Sequence, residues 1–203
     1  MTEMDIADWR RHIFALYATV RATPSKAGWR HWRDRRAALF TSHPASPTAR
    51  NAAPVLFDYD PSWCLNANLQ PFATALPAIA IDAGNDGTTW IKPLGKTDGL
   101  APRLNQELTA YWITGYGGGL FLPFRDPAAD VYSGGRYLLD TIKGADLGCL
   151  PDGRMKLDFN FAFNPSCAYS AVWVCPLPPS ENWLTKPVYA GEKSPLPSQC
   201  AAP

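Results

Sequence analysis

Hydrophobic positions divide the chain into a helical opening and a longer stretch with strand-like patterning. Ile6, Trp9, Ile13, Leu16 or Tyr17, and Val20 recur at steps of three and four, which places them on one face of a helix. Thr23-Pro24 ends that helix. Ser25 is placed to cap a second one carrying Trp29, Trp32, Leu39 and Phe40, with Arg30, Arg33, Arg35 and Arg36 between them. His43-Pro44-Ala45-Ser46-Pro47 reads as a stiff turn, because each proline fixes φ and disfavours helix at its predecessor.

Beyond residue 47, short apolar runs alternate with turn signals. Runs at 55–59, 78–81, 88–91, 108–114, 120–124, 136–139, 155–163 and 188–190 predict strands. Gly84-Asn85-Asp86-Gly87, Gly117-Gly118-Gly119 and Ser133-Gly134-Gly135 supply turns. Many short strands with close turns predict a mainly β protein of the α+β kind: an antiparallel β-sandwich or small β-barrel with the N-terminal helical pair packed on it. The expected organisation is a helical segment over 1–42, a β domain over 48–193 and a disordered tail over 194–203.

Composition narrows the function classes. The 203 residues carry 19 Lys plus Arg against 18 Asp plus Glu, a formal charge of +1, which argues against a general nucleic-acid binder. The first 50 residues hold nine basic and four acidic side chains, so the two parts of the chain attract one another. The tryptophans of the basic helix are expected to pack on the core, with arginines solvated or stacked on them. No run approaches the ~18 apolar residues of a membrane helix. The acidic start Met1-Thr2-Glu3-Met4-Asp5 lacks the form of a secretory signal, so the expectation is a cytoplasmic protein.

Candidate chemistry concentrates after residue 110. In 156–164, Leu157, Phe159, Phe161 and Phe163 alternate with Lys156, Asp158, Asn160, Ala162 and Asn164. Asp and Asn are poor strand formers, so they line a polar pocket, face solvent, or satisfy irregular backbone nearby. Arg125 and Arg136 are candidates to clamp a carboxylate, or to bridge Asp126, Asp140 or Asp158. Tyr111, Trp112 and Tyr116 fit a core or a pocket wall. Five cysteines contain no Cys-x-x-Cys pair, and Cys167 and Cys175 sit eight positions apart, wider than the usual spacing within a metal-ligand pair. They read as buried thiols, with a metal site shared with His43 and a redox pair as the lesser alternatives.

Several blocks resemble the DUF1684 family, a family of unknown function. They are Gly118-Gly119-Leu120-Phe121-Leu122-Pro123-Phe124-Arg125-Asp126, Gly134-Gly135-Arg136-Tyr137-Leu138-Leu139-Asp140, Leu157-Asp158-Phe159-Asn160, Asn164-Pro165-Ser166-Cys167-Ala168-Tyr169, Cys175-Pro176-Leu177-Pro178-Pro179, Glu181-Asn182 and Ala190-Gly191-Glu192. The resemblance implies a single domain with the helical N-terminus attached. It implies no reaction, cofactor or catalytic residue. The chain departs from the pattern at Ala171-Val172, Ser180 and Trp183.

The residues together predict a small-molecule pocket, and favour a cofactor-independent enzyme doing acid–base chemistry such as isomerisation, cyclisation or hydrolysis. Asp158 is the candidate acid/base, Tyr169 a second proton donor, and Asn160 and Asn164 polar anchors. Arg125 or Arg136 is the anion clamp, and Tyr116 and Trp173 are wall residues. No cofactor or metal and no nucleic-acid or membrane partner is expected, and a homodimer is admitted. The rivals are a non-catalytic ligand-binding protein of the same shape, and an interaction module using Trp29, Trp32 and the helical arginines.

Overall fold

A computed structural model describes residues 1–48, 52–82 and 87–197. Helix α1 spans Glu3–Arg21 and helix α2 spans Ser25–Ser42. A reciprocal Thr2–Asp5 capping box starts α1, satisfying backbone donors that would otherwise have no partner. Ser25 is the first residue of α2 rather than its cap. Pro24 occupies the cap position, with no side-chain hydrogen bond there.

Seven strands follow: β1 Cys64–Pro71, β2 Ile79–Asp82, β3 Thr88–Asp98, β4 Thr109–Ile113, β5 Gly119–Phe124, β6 Arg136–Asp140 and β7 Met155–Asp158. They form one antiparallel sheet in the order β6-β5-β4-β3-β1-β7, with β2 paired to the first half of β3. The sheet nearly closes into a barrel, because Phe163, just beyond β7, bridges Tyr137 of β6. Gly95 sits at an irregularity in the β3–β4 pairing. A Cβ there would lie 2.3 Å from the Gln70 carbonyl oxygen, so only glycine lets β1 and β3 approach this closely.

Three expected strands differ from those observed, and one observed strand has no counterpart among the expected runs. The run at 155–163 is strand only to Asp158, where the carboxylate accepts from the Asn160 amide at 2.9 Å and turns the chain into a 3₁₀ turn, Phe159–Phe161. Runs 55–59 and 188–190 belong to no strand of the sheet. The first pairs instead with 191–193, with Leu56 bridging Glu192 and the Phe57 amide donating to the Gly191 carbonyl. Strand β1 carries no apolar run and was missed, since its Cys-Leu-Asn-Ala-Asn-Leu-Gln-Pro sequence offers little contrast between faces. The Gly84–Asp86 part of the expected β2–β3 turn lies outside the described residues, although β2 and β3 do pair antiparallel.

Side chains alternate between two apolar clusters. Tyr111, Phe121 and Tyr137 join Ile13, Leu16, Tyr17, Trp29 and Trp32 under the helices. Ala110, Leu122 and Leu138 join Trp63, Leu157, Phe159, Leu184 and Val188 on the other side. Trp29 and Trp32, the proposed partner-facing tryptophans, are thus buried.

Two polar pins hold the C-terminal return segment to the sheet. Asn182 donates to the Thr109 and Pro123 carbonyls and accepts from the Thr109 amide, joining β4 and β5. Arg136 is fully buried. It donates to Asp126 at 2.7 Å and to the carbonyls of Val188, Ala190 and Glu192. Truncating it leaves the buried Asp126 charge without its cation. Arg136→Ala is therefore expected to cost about 3–5 kcal/mol in denaturant unfolding. A loss below about 1 kcal/mol, the scale of an exposed pair, contradicts the pin.

Candidate functional site

The apolar face of α2 carries an arginine. Arg36 follows Trp29 by seven residues and Trp32 by four, so it points with them into the molecule. Its guanidinium lies 4.6 Å from the Phe40 ring centre and 5.2 Å from that of Phe163, and it donates to Glu192. Burial works against the Arg36 charge, but the Glu192 carboxylate outweighs it and raises the pKa above its ordinary value. Glu192 is itself fully buried and also accepts from the Asn164 amide at 2.7 Å and the Tyr169 hydroxyl at 3.0 Å. Gly191 delivers it there with φ +75°, where a Cβ would lie 2.4 Å from the Ala162 carbonyl oxygen.

Over this network lies a cavity of about 260 Å³ between the two helices and the segments that carry Lys143, 163–166 and 173–175. Trp9, Ile13, Phe40, Phe163 and Trp173 form apolar walls, and Arg10, Arg36, Lys143, Asn164 and Cys175 supply polar groups. No carboxylate of the described residues lines it. Asn164 donates from Nδ2 to the Lys193 carbonyl at 2.7 Å, while its Oδ1, closed off from solvent, has no hydrogen-bond partner among the described residues.

The residues expected to form one site are spread over several places. Asn164 and Trp173 line this cavity. Tyr169 lies behind it, its ring 5.1 Å from that of Phe40 and its hydroxyl on Glu192. Asp158 and Asn160 form a second cluster with Cys64 and Tyr59. Asp158 accepts from the Cys64 thiol at 3.1 Å and from Asn160 Nδ2 at 2.8 Å, and the Tyr59 hydroxyl meets Cys64 at 3.1 Å. Asn160 also exchanges hydrogen bonds with the Asp60 backbone, so of the three roles open to it, satisfying irregular backbone is the one seen. Arg125 stacks on Trp183 at 4.6 Å beside another cavity. Arg136 reaches no cavity: its donors meet Asp126 and backbone carbonyls, which corrects its expected role as an anion clamp. Tyr116 is fully exposed, so it forms no pocket wall.

Asp158, with Cys64, Lys156 and Arg21, lines a second cavity of about 210 Å³. Burial raises the Asp158 pKa above the ordinary carboxylate value, against the lowering effect of the hydrogen bonds from Cys64 and Asn160. Burial likewise pushes the Cys64 thiol up to about 11.

His43 is far from neither α1 nor metal-like company, since Asp8, His12 and His43 could converge on a cation. The ring geometry argues otherwise. His43 Nδ1 accepts from the Ala45 amide at 3.0 Å, so Nε2 carries the proton, faces Asp8 at 3.4 Å and has no lone pair for a metal. The cluster ties the end of α2 to α1.

The sequence reading missed Arg36, Glu192 and Cys64 as site-building groups. A charged residue in register with Trp29 and Trp32 was the available signal for Arg36. Glu192 and Cys64 acquire roles only through contacts distant in sequence.

The family model described as "Protein of unknown function (DUF1684)" matches residues 54–193. A solution NMR structure of an uncharacterized protein from Haloarcula marismortui is similar at 28% identity and a TM-score of 0.55, covering 83% of this chain and 93% of that one. That coverage exceeds what residues 54–203 can supply, so the likeness extends to some residues before 54. No curated protein matches. No described helix is long and apolar enough to cross a membrane.

Because the folded state holds the Asp158 proton more tightly than the unfolded chain, Asp158 favours folding at low pH. That contribution is lost as pH rises from about 4, the unfolded value, through the raised folded value. Stability of the wild type relative to Asp158→Asn should therefore fall between pH 4 and pH 8 in parallel denaturation series. A difference that stays constant over that range contradicts the raised pKa.

Proposed function

The chain belongs to the DUF1684 family, and we propose that it binds a small organic acid with an apolar body in the cavity beneath the helices. One observation carries this reading: apolar walls meet Arg10, Arg36 and Lys143, with no carboxylate of the described residues lining the space. An apolar tail would displace water from Trp9, Ile13, Phe40 and Phe163, and an acid head would meet cations instead of repulsion. Arg36 is already occupied by the buried Glu192, so Arg10, together with Lys143, whose ammonium lies a looser 3.7 Å from Asp140, would take the head group. A volume of about 260 Å³ suits an acid with a medium-length chain or a single ring.

A second reading places acid–base chemistry at Asp158. It is supported by a carboxyl of raised pKa that lines the second cavity and has no cation in its hydrogen-bond set. Such a group holds a proton further toward neutrality than an ordinary aspartate, as a general acid or base requires. Cofactor-free proton transfer on a small metabolite is the corresponding activity, and a cytoplasmic location fits either reading.

Decanoate is a usable probe of the first reading. Calorimetric titration into the full chain should show saturable one-site binding. The Arg10→Met/Lys143→Met double variant should bind about tenfold more weakly, roughly 1.4 kcal/mol. Decanol, with the same tail and no charge, should bind more weakly than decanoate. No saturable binding, or decanol matching decanoate, contradicts the proposed site.

A further inference from the structure

The pairing of β1 with β7 gathers polar side chains on one face. Cys64 stands opposite Asp158 and Asn66 opposite Lys156, so these four share one side of the two strands. Leu65 and Leu157, also opposite one another, join the apolar cluster on the other side. All four polar residues line the cavity of about 210 Å³, and Arg21, the last residue of α1, lines it with them.

The polar groups here have bonding capacity left over. Asp158 Oδ1 accepts from both the amide and Nδ2 of Asn160, whereas Oδ2 meets only the Cys64 thiol at 3.1 Å, which leaves Oδ2 room for a second partner. Arg21 gives one hydrogen bond, to the Asp146 carbonyl at 2.8 Å. Among the described residues neither Arg21 nor Lys156 is ion-paired, to Asp158 or to any other carboxylate. The cavity thus presents two cations without a bonded counter-ion, a carboxyl that burial pushes toward its protonated form, and a thiol that stays neutral.

We infer that this cavity binds a short hydroxy- or oxo-carboxylic acid, with the carboxylate on Lys156 and Arg21 and the hydroxyl or carbonyl oxygen on Asp158. Such a ligand is the substrate class for acid–base chemistry at Asp158, the reading on which this assignment rests. Lys156 and Asp158 are two residues apart on β7, which sets their Cα atoms about 7 Å apart. A ligand that meets both therefore carries its two groups within a few bonds of each other. Two cationic side chains match the two oxygens of a carboxylate. The Asp158 carboxyl donates to a carbonyl oxygen when protonated and accepts from a hydroxyl when ionised, so one side chain serves either member of the class. An acid with an apolar body has its place instead between Trp9, Phe40 and Phe163, and the two cavities divide small acids by polarity.

The test titrates isotope-labelled full-length protein with 3-hydroxybutyrate and follows the backbone amides by NMR. Saturable shifts are expected at 64–66 and 156–158, and none at Arg10 or Phe163. Butyrate, which lacks the hydroxyl, and 1,3-butanediol, which lacks the charge, should each bind about tenfold more weakly. Lys156→Met should weaken 3-hydroxybutyrate by a similar factor and leave 1,3-butanediol unchanged. Arg21→Met, at an exposed helix end, reads the same loss where the strand variant fails to fold. No saturable shift in the millimolar range, shifts centred elsewhere, or butyrate matching 3-hydroxybutyrate overturns the inference. The Asp158→Asn stability series uses no ligand. A raised Asp158 pKa found there without 3-hydroxybutyrate binding rejects the ligand class and keeps the acid–base reading, whereas an ordinary pKa rejects that reading itself.

Discussion

A carboxylate removed from water must be given back, by the protein, the charge and hydrogen bonds that water provided. Glu192 has no exposure to solvent, and its partners come from three separate parts of the chain. Arg36 arrives from α2, the Asn164 amide from the segment after β7, and the Tyr169 hydroxyl from the turn beyond it. Its own backbone is fixed as well: its amide donates to the Ala162 carbonyl and its carbonyl accepts from Arg136. Removing any one partner leaves the buried carboxylate without its counter-charge or with an unmet acceptor. The helical cover, the barrel closure and the C-terminal return are consequently one electrostatic unit as well as an apolar one.

The cavity is a product of that arrangement. Helices packed flat on the sheet would leave little space. Here Arg36 and its ring neighbours occupy the contact layer, and the space beside them is walled by Trp9, Phe40 and Trp173. Because Glu192 faces Arg36 from behind rather than lining the cavity, the charge presented to a ligand is cationic. On the Asp158 side the balance is reversed, with burial favouring the neutral acid and neutral thiol. One protein therefore holds two cavities whose electrostatics suit different chemistry.

Local patterning made much of the fold legible. The three- and four-residue spacing of Ile13, Leu16, Tyr17 and Val20 marks the buried face of α1, and the short apolar runs of β4, β5 and β6 mark their strands. What escaped is what depends on partners remote in sequence. Strand β1 owes its place to pairing with β3 and β7 rather than to its own alternation. At Asp158, a side chain that captures the Asn160 amide ends a strand whose periodicity continues to Phe163. Candidate site residues suffered the same way. Spacing drew attention to Asp158, Asn160, Asn164 and Tyr169 as a set, whereas the fold sends the first two toward Cys64 and the last two toward Glu192.

The central claim is that the buried Glu192 carboxylate fastens the helices to the barrel and so builds the cavity. Hydrogen–deuterium exchange, followed by mass spectrometry on the wild type and Glu192→Gln, tests it most directly, since the substitution keeps the shape and removes the charge. The account predicts that α2 and the 164–175 segment lose protection together, while β3, β4 and β5 keep theirs. Unchanged protection in α2, or loss spread evenly over the whole chain, would contradict it.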